Sequence, residues 1–437
     1  GRAGAAVARA AKRMMGGLYG RTVVVITGKG NNGADGRVTA RLLADQGVRV
    51  HVIDAEHMPL RLPVSDLIID AAFGTGFRGD WSPPATKGVP VLAVDIPSGI
   101  DGLTGLAAPD TWQATRTVTF VALKPGLLLG AGRALCGEVE LVDIGINLGM
   151  GNVDINEVER SDVSQWVPQR PFDSHKWKAA LYAVAGSSGM MGAANLCSAS
   201  AMRAGAGIVH VASPGIVSDR STSTEIVRRA LPALGWSHEV LDDLSRFKAI
   251  VIGPGLGRDE GTVSEARRII AGAHIPMVID GDGLFAVAWG GEGARDIVRS
   301  RAAGTVLTPH DGEYTTLLGY APSHDRITSA RRLASDTNCV CLLKGTTTVV
   351  AEPSGEVLMV ANGDQRLATA GTGDVLAGII GALLAQGVEP FHAAASGAWI
   401  HGYAASLFTA HEGLIASDLV DLIPLALSHM RHVGSQD

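Results

Sequence analysis

The segment Gly371-Thr372-Gly373-Asp374 places a carboxylate directly before a long apolar stretch with helical character. Backbone N–H groups at the start of a helix stabilise the negative charge that develops on a phosphoryl group during transfer. A neighbouring carboxylate can remove the proton from the attacking hydroxyl. An aspartate at this position could also be only a helix cap, but the surrounding residues favour catalysis. We therefore predict that Asp374 is a general base.

A second group of polar residues follows apolar runs in the first third of the chain. Asn31 and Asn32 lie in a glycine-rich turn, and their amides suit either a phosphate or a cation. Asp70 and Asp95 each come directly after a later run, and Ser98 follows three residues on. Ligands of open α/β sheets bind at the carboxyl ends of strands. Polar residues at successive strand ends therefore predict a binding site.

Further glycine-rich turns follow apolar runs at residues 186–189, 253–257 and 344–348. Such turns let backbone N–H groups approach an anionic oxygen. None of them has the glycine run followed by Lys and Ser or Thr that defines a Walker loop. Several such turns in one half of the chain predict a site for a nucleotide and an anionic substrate.

The elements that must position these residues can be read from short apolar runs. In the first half the predicted strands are 23–27, 48–53, 67–71, 89–94, 118–123 and 139–142, with a helix over 35–46. Runs of this length separated by helical patterns predict an α/β domain whose parallel sheet is covered on both faces.

A second series of runs predicts a second α/β domain. Its strands are 181–185, 208–212, 249–252, 277–279, 305–307, 340–343 and 349–351, followed by a helix-rich tail from 373. Residues 150–173 between the two series are polar and irregular, which is typical of a linker. We therefore predict domains over 1–149 and 174–437.

Composition and charge exclude several classes of protein. The 56 glycines lack the period of collagen, and an apolar fraction of 46% excludes a disordered chain. With 37 basic and 43 acidic residues the net charge is −6, so we expect no nucleic-acid partner. No apolar run approaches the ~20 residues of a membrane span, so we expect no membrane partner.

Four cysteines lack the spacing of a metal site, which predicts a reduced, cytoplasmic protein. Residues 1–15 carry Arg and Lys through an alanine-rich stretch without the apolar core of a signal peptide. We interpret this stretch as the end of a truncated helix.

About residues 1–148 resemble the NAD(P)H-hydrate epimerase domain. The resemblance rests on GKGNNGADG (28–36), DAAFGTG (70–76), VDIPSGIDGLTG (94–105), KPG (124–126) and VDIGI (142–146). It implies a Rossmann-like three-layer α/β/α domain that interconverts the R and S forms of nicotinamide dinucleotide hydrated at carbon six. Asp95 would be the acid/base, and a potassium ion would be bound by Asn32, Asp70 and Ser98. The implied substrate-binding residues are Asn31, Asn32, Gly33, Ala34, Asp35, Gly74, Thr75, Gly76, Phe77, Arg78, Gly79 and Asp80. Ala34 stands where the family usually has a glycine.

Roughly residues 172–430 resemble the NAD(P)H-hydrate dehydratases of the ribokinase-like superfamily. The resemblance rests on GAA (192–194), GPGLG (253–257), DGD (280–282), TPH (308–310), LKGTTT (343–348) and ATAGTGDVLAGI (368–379). It implies a ribokinase-like α/β domain that phosphorylates the 6-hydroxyl with ADP and Mg²⁺, then eliminates phosphate to restore NADH or NADPH. Asp374 would be catalytic.

The same resemblance implies two sets of binding residues in the second domain. The hydrate would contact Ala193, Gly257 and His310. The adenine nucleotide would contact Lys344, Gly345, Thr346, Thr347, Thr348, Asp364, Gln365, Arg366, Leu367, Ala368, Thr369, Ala370, Gly371, Thr372 and Gly373. Asp364-Gln365 stands where the family commonly has Asn-Pro.

Together the two resemblances predict a bifunctional metabolite-repair enzyme, with homo-oligomerisation expected at the family level. One alternative is a ribokinase-like small-molecule kinase, since GTGD alone also occurs there. Another is a non-catalytic binding role for the first domain. A plain dehydrogenase is least favoured, because the chain lacks GxGxxG followed by an acid about 20 residues on.

Overall fold

The computed structural model describes residues 1–147, 149, 153–216, 225–288 and 294–431. The chain divides into two compact units, Gly1–Asn152 and Val153–Asp437. The first unit therefore ends close to the end of the predicted first domain. The second unit begins 21 residues before residue 174, the predicted start of the second domain.

In the first unit, short buried apolar segments form strands and longer amphipathic ones form helices. The strands are β1 (Thr22–Thr27), β2 (Arg49–Asp54), β3 (Leu67–Ala71), β4 (Val91–Val94), β5 (Arg116–Phe120) and β6 (Glu138–Val142). The α-helices are α1 (Arg2–Met15), α2 (Asn31–Ala44), α3 (Pro125–Leu128) and α4 (Gly130–Leu135). Each predicted run of this half overlaps one of these strands.

The described strands of the first unit form a parallel sheet in the order β2-β1-β3-β4-β5-β6, which confirms the predicted class. One face packs against α1 and α2, where Gly4 allows close approach, since an added Cβ would lie 2.8 Å from Val38. Trp81 and Trp112, carried by loops, help to cover the other face. The strand order reverses beside β1, which opens a crevice between the carboxyl ends of β1 and β3.

The second unit is larger and follows the same alternation. Its strands are β7 (Ile155–Glu157), β8 (Ala180–Val184), β9 (Ile208–Pro214), β10 (Val227–Leu231), β11 (Ala249–Ile252), β12 (Met277–Ile279), β13 (Thr305–Leu307), β14 (Val340–Leu343), β15 (Thr348–Ala351) and β16 (Val357–Val360). Its α-helices are α5 (Arg160–Trp166), α6 (Met191–Arg203), α7 (Ser237–Asp243), α8 (Glu260–Gly272), α9 (Asp282–Ala286), α10 (Ala294–Arg299), α11 (Asp311–Leu318), α12 (Arg326–Thr337), α13 (Thr372–Ala385), α14 (Pro390–Ser406) and α15 (Ala416–Arg431).

Within the described residues the second sheet runs β10-β9-β8-β11-β12-β13-β14-β15-β16-β7. The strands are parallel except where β15 pairs antiparallel with both β14 and β16. The buried helix α13 packs on α6, and only glycine fits at Gly378, where an added Cβ would lie 2.1 Å from the Cys197 carbonyl oxygen. This close contact fixes α13 against α6.

The segment predicted as a linker, 150–173, contains a strand and a helix within its described residues. Strand β7 pairs with β16, and α5 packs against α14, with Trp166 stacked on His392 at 4.3 Å. The short, partly polar sequence of β7 shows no strand periodicity, so only its pairing with β16 reveals it. Strands β10 and β16 were also missed, although the apolar run of β16 was a usable signal.

Among the described helices, none is both long and apolar enough to cross a membrane.

Candidate active sites

The first site begins where β1 ends and α2 starts. Gly30 caps α2, so Asn31 and Asn32 form its first turn, whereas the sequence pattern predicted a helix start at Asp35. Gly33 lies buried beneath this turn, and an added Cβ would sit 1.8 Å from the carbonyl oxygen of Gly28. Only glycine therefore fits there, and its role is to let the turn fold tightly.

Asn32, Asp70 and Ser98 come together at the ends of β1, β3 and β4, as the sequence predicted for neighbouring strand ends: Asn32 and Ser98 bond the main chain of Phe73, and Asp70 bonds Ser98. Asn32 Nδ2 donates to the carbonyl oxygens of Phe73 at 2.8 Å and Val94 at 2.7 Å. Asp70 Oδ1 accepts from Ser98 Oγ at 2.6 Å, and Oδ2 accepts from Ser98 N at 2.8 Å. The amide of Phe73 donates to Ser98 Oγ at 2.8 Å. The three side chains thus tie together the ends of β3 and β4.

The carboxylate of Asp70 is fully buried. Burial raises its pKa, and the hydrogen bonds from Ser98 and Ala72 oppose that rise only in part. No cationic side chain forms an ion pair with Asp70 among the described residues. A buried carboxylate surrounded by other oxygen atoms is suited to bind a cation. Hard oxygen ligands favour an alkali or alkaline-earth ion over zinc.

Asp95 lies directly after β4 with a φ of +69°, a region that only glycine adopts easily. Its Oδ1 accepts hydrogen bonds from the Lys124 ammonium and from Thr119 Oγ1 at 3.1 Å. Lys124 also donates to Thr119 Oγ1 at 2.8 Å and to the Phe120 carbonyl at 2.9 Å. The strained backbone and the fixed side chain hold the Asp95 carboxylate in one place, as expected for a functional residue.

A cavity of about 570 Å³ opens beside Asp95. The predicted binding residues that line it are Asn31, Asn32, Gly74, Thr75, Gly76, Phe77 and Arg78. The predicted residues outside its lining are Gly33, Ala34, Asp35, Gly79 and Asp80. Asp35 is half-buried and accepts from the Gly4 main chain, and this partial burial raises its pKa.

The second site is built around the start of α13. Gly371 caps the helix with a φ of +90°, and Asp374 lies in its first turn. Thr372 Oγ1 donates to the carbonyl oxygens of Leu367 at 2.8 Å and Thr369 at 2.9 Å, which fixes the loop that leads into the helix. The N–H groups of the first turn therefore face the site in a rigid arrangement.

Several charged groups from separate elements surround Asp374. Lys344 Nζ lies 2.9 Å from Asp280 Oδ1 and 3.6 Å from Glu313 Oε2, and Thr308 Oγ1 donates to Asp280 Oδ1 at 2.6 Å. Burial and the carboxylate of Asp280 raise the pKa of Asp374 to about 6, against the opposing charge of Lys344. Burial alone would lower the pKa of Lys344, but the surrounding carboxylates outweigh it and raise that pKa.

His310 has a structural task as well as a position in the site. Its Nδ1 accepts from the amides of Gly312 at 3.0 Å and Glu313 at 3.2 Å, so it caps α11. In return, the Glu313 carboxylate accepts from the His310 amide at 2.9 Å. The sequence left open a turn residue or a site pair, and the geometry shows a capping pair with Glu313. His310 also lines the second-unit cavity, and its contact with the hydrate stays a prediction.

Ala193 lies in the first turn of α6 and Gly257 in the loop after β11, and both are outside the lining of the cavity described next. Gly257 has a φ of +97°, and its amide donates to Asp282 Oδ2 at 2.8 Å. Ala193 lies against Gly255, where an added Cβ would come within 2.9 Å of it. Both positions stay predictions for hydrate contacts.

A cavity of about 490 Å³ lies beside the start of α13. The predicted nucleotide residues that line it are Lys344, Gly345, Thr346, Thr348, Asp364, Gln365, Leu367, Ala368, Thr369, Thr372 and Gly373. The predicted residues outside its lining are Thr347, Arg366, Ala370 and Gly371. Thr347 is buried at 1% exposure, and Gly371 serves as the helix cap.

Arg366 has a structural role that the sequence did not indicate. It pairs with Asp364 at 2.7 Å, and its guanidinium donates to the carbonyls of Ala405 at 2.9 Å, Phe408 at 2.8 Å and Ala410 at 2.9 Å. These carbonyls lie at and beyond the end of α14, and that of Ala405 also accepts from the Phe408 amide at 3.2 Å. Arg366 therefore stabilises the end of α14, and protein groups already accept the hydrogen bonds of its guanidinium.

Sequence reasoning missed Lys124, Asn362 and His401. Lys124 belongs to a motif that was noticed, but nothing in the sequence tied it to Asp95. Asn362 and His401 line the second cavity and belong to no sequence pattern.

Comparison with solved structures places the second unit in a known class. A crystal structure of an ADP/ATP-dependent NAD(P)H-hydrate dehydratase from Bacillus subtilis, co-crystallised with ATP and Mg²⁺, matches at 28% identity with a TM-score of 0.55, over 64% of this chain and 99% of that chain. A ribokinase-like superfamily protein from Enterococcus faecalis shares the fold at 20% identity and a TM-score of 0.55, over 65% of this chain and 99% of that chain. The fold and the helix-start site define the second unit as a ribokinase-like enzyme domain.

The NAD(P)H-hydrate dehydratase family matches residues 181–425, and the family of YjeF-related protein N-termini matches residues 1–62 and 52–126. Bifunctional NAD(P)H-hydrate repair enzymes are similar over almost the whole chain. The Moorella thermoacetica enzyme is 34% identical over 96% of this chain and 90% of its own length. The Escherichia coli enzyme is 32% identical over 91% of this chain and 83% of its own length. The chain belongs to the family of bifunctional NAD(P)H-hydrate repair enzymes.

This family membership confirms the resemblance that the motifs predicted in both halves of the chain. It also favours repair over the small-molecule kinase and over a non-catalytic first domain.

Proposed function

We propose that the second unit converts the S form of hydrated NADH or NADPH to the intact dinucleotide, using ADP. The observation that carries this proposal is the Asp374 carboxylate, which lies at the start of α13 directly beside Gly373 of the cavity lining. The cavity is large enough for a nucleotide. Asp374 would take the proton from the 6-hydroxyl as that oxygen attacks the terminal phosphorus of ADP, the bond to the bridging oxygen breaks and AMP leaves.

The environment of Asp374 suits a base that works near neutral pH. With a pKa of about 6, it is mostly ionised at pH 7 but more basic than an ordinary aspartate. The amides at the start of α13 and the ammonium of Lys344 would stabilise charge on the phosphoryl group in flight. Phosphate would then leave carbon six together with a proton from the adjacent carbon, which restores the ring double bond.

The charge balance of the second site fits a divalent cation. Asp280, Glu313 and Asp374 gather around the single ammonium of Lys344, so carboxylates outnumber cations. Among the described residues no cluster of three or more His, Cys, Asp or Glu forms a complete metal site. This pattern suits Mg²⁺ that arrives on the nucleotide phosphates and keeps most of its waters. Bound there, Mg²⁺ would neutralise phosphate charge.

For the first unit we propose interconversion of the R and S hydrates. Asp95 lines the 570 Å³ cavity and is held by Lys124, so its carboxylate can take up and return the one proton that moves when the carbon–oxygen bond at carbon six opens and recloses on the other face. The predicted potassium ion would be held by Asn32, Asp70 and Ser98, and the buried, unpaired charge of Asp70 supports it. There the ion would offset the charge of Asp70 and rigidify the cavity wall.

One experiment tests both proposals. A mixture of R and S hydrates of NADH is incubated with Mg²⁺ and either ADP or ATP, and the absorbance of the restored dihydronicotinamide is followed. We expect recovery of both epimers with ADP, the R form at a rate above spontaneous epimerisation. Absence of recovery with either nucleotide would refute the dehydratase proposal. Recovery of the S form alone would refute the epimerase proposal.

We also propose a reducing, cytoplasmic setting and a homo-oligomeric assembly. The first is supported by four cysteines that are all free and buried. The second rests on the family resemblance and is tested by light scattering of the purified protein.

A further inference from the structure

An ion pair joins the loops that follow two neighbouring strands of the second unit. Arg258 follows β11 and Asp282 follows β12, and these two strands pair in parallel. Arg258 Nε donates to Asp282 Oδ1 at 2.6 Å, and the amide of Gly257 donates to Asp282 Oδ2 at 2.8 Å. Only 11% of the Asp282 side chain is exposed. Asp282 therefore fixes the main chain at Gly257 and the guanidinium of Arg258 at the same time.

The guanidinium of Arg258 is held on one edge and free on the other. Its Cζ lies 5.0 Å from the centre of the Phe285 ring, within the range of a cation–π contact. No described residue accepts a hydrogen bond from Nη1 or Nη2, and 58% of the side chain is exposed. The neighbouring Asp259 carboxylate is occupied in capping α8, where it accepts from the Thr262 amide at 2.9 Å. The two terminal nitrogens of Arg258 thus form a fixed fork that matches two oxygens of a phosphate.

This fork lies on the side of Asp374 away from the cavity proposed for ADP. That cavity is lined mainly by residues that follow β14 and β16 or belong to α13 and α14, whereas β11 and β12 lie on the other side of β13 in the sheet. Burial, then the charges of Asp280 and Asp282, raise the pKa of Asp374, so Asp282 is close to the proposed base. Arg258 is therefore near Asp374 and directly follows Gly257, a predicted contact of the hydrate.

We propose that Arg258 binds a phosphate group of the dinucleotide hydrate. In such a dinucleotide the pyrophosphate is one ribose away from the nicotinamide ring, so a hydrate whose ring lies at Asp374 extends phosphate oxygens beyond it. The hydrate of NADPH carries a further phosphate on the adenosine ribose, which offers the same chemistry to a guanidinium. This inference rests on the proposed dehydratase function and names a residue that contributes to the affinity for its substrate.

Steady-state kinetics of the full chain test the role of Arg258. Dehydration of the S hydrate of NADPH is followed by the absorbance of the restored dihydronicotinamide, with Mg²⁺ and saturating ADP. For Arg258→Met we expect KM for the hydrate to rise about tenfold, because charge-assisted hydrogen bonds are lost. The kcat value and KM for ADP should stay within about twofold, since the contact is equal in ground and transition states. Arg258→Lys, which keeps the charge without the fork, should give an intermediate KM.

Arg332→Met is the matched control. Arg332, on α12, is 62% exposed, lies 5.0 Å from the ring of Tyr320 and pairs with Asp336 at 3.8 Å, so its surroundings resemble those of Arg258. Its substitution should leave KM for the hydrate unchanged. Raising the ionic strength should also increase KM more in the unmodified protein than in Arg258→Met, since salt screens only an exposed charge that takes part in binding.

Repeating the comparison with the S hydrate of NADH distinguishes the two phosphate groups. A rise in KM for both hydrates supports binding of the pyrophosphate, and a rise for the NADPH hydrate alone supports binding of the 2′-phosphate. An unchanged KM for both hydrates in Arg258→Met, or an equal rise in Arg332→Met, would overturn the inference and leave the dehydratase function in place. Failure of the unmodified protein to dehydrate either hydrate with ADP or ATP would overturn the proposed function itself, before any variant is compared.

Discussion

The ammonium of Lys124 donates a hydrogen bond to the carboxylate of Asp95, although 29 residues separate them in the chain. An ammonium has three N–H groups, and here all of them are directed to protein acceptors, namely Asp95, Thr119 and Phe120. Asp95 lines the cavity of the first unit, whereas Lys124 lies outside that lining. Lys124 therefore positions Asp95 and does not itself contact the substrate.

Loss of this pairing should affect turnover in the first unit more than binding. For Lys124→Met we expect kcat of epimerisation to fall roughly 10–100-fold with little change in KM, and Lys124→Arg should recover part of it. Asp95→Ala should abolish epimerisation, while ADP-dependent dehydration of the S form continues in both variants. The assay follows the R hydrate with an excess of a separate dehydratase. Normal recovery of the R form by Asp95→Ala would contradict the assigned role.

Asp374→Asn should nearly abolish dehydration. Asparagine has the same shape and can still face the helix start, but it cannot accept the proton of the 6-hydroxyl. Loss of a general base typically costs roughly 10²–10⁴ in rate, whereas ADP binding and epimerisation should persist. If most of the turnover survives, Asp374 is only a cap, and Asp280, Asp282 and His310 become the candidates for the base.

The pH dependence of dehydration should report the ionisation of Asp374. Because the base must be ionised and its pKa is about 6, kcat/KM should rise as the pH increases through 6 and level off above it. Lys344→Met removes a cation that lowers this pKa, so the acid limb should move to higher pH. Asp280→Asn removes a carboxylate that raises it, so the limb should move to lower pH. Shifts in the opposite directions would show that another group controls the profile.

Potassium should stabilise the first unit through Asp70. Burial raises the pKa of this carboxyl, so the charged form is costly at neutral pH unless a cation offsets it. At a concentration 100 times Kd, a bound ion adds about 2.7 kcal/mol to stability. We expect a higher Tm in potassium chloride than in tetramethylammonium chloride of equal ionic strength, and no such difference in Asp70→Asn. Equal Tm values in both salts for the unmodified protein would exclude the site.

Arg366→Leu should destabilise the second unit without a matching loss of ADP affinity. The substitution removes the guanidinium that donates to the carbonyls at the end of α14 and to the Asp364 carboxylate. We expect the free energy of unfolding to fall by about 2–3 kcal/mol, measured by urea denaturation. An unchanged stability together with lost ADP binding would instead support the nucleotide contact that the family resemblance implied for Arg366.

The motifs of this sequence determined its family and the class of both domains. A turn such as residues 28–36 or 371–374 carries its information locally, because glycine conformation, helix capping and the acid that follows are properties of adjacent residues. The apolar runs likewise located the central strands, since buried parallel strands need little beyond continuous hydrophobicity. Strand β7 was missed because three residues have no period of their own, and its stability comes from pairing with β16.

The tertiary structure alone decided which distant groups act together. Lys344 meets Asp280 across 64 residues because β14 and β12 end at the same edge of the sheet. His401 and Asn362 line one cavity because α14 packs beside the loop after β16. Neither residue is part of a sequence motif that would have predicted this proximity. Arg366 belongs to a predicted nucleotide motif, and only the structure shows that its guanidinium donates to carbonyls at the end of α14. The sequence alone determined which chemistry is present in each half, because that information lies in neighbouring residues. The position, charge and partners of each group depend on packing between elements far apart in the chain, which no local pattern encodes.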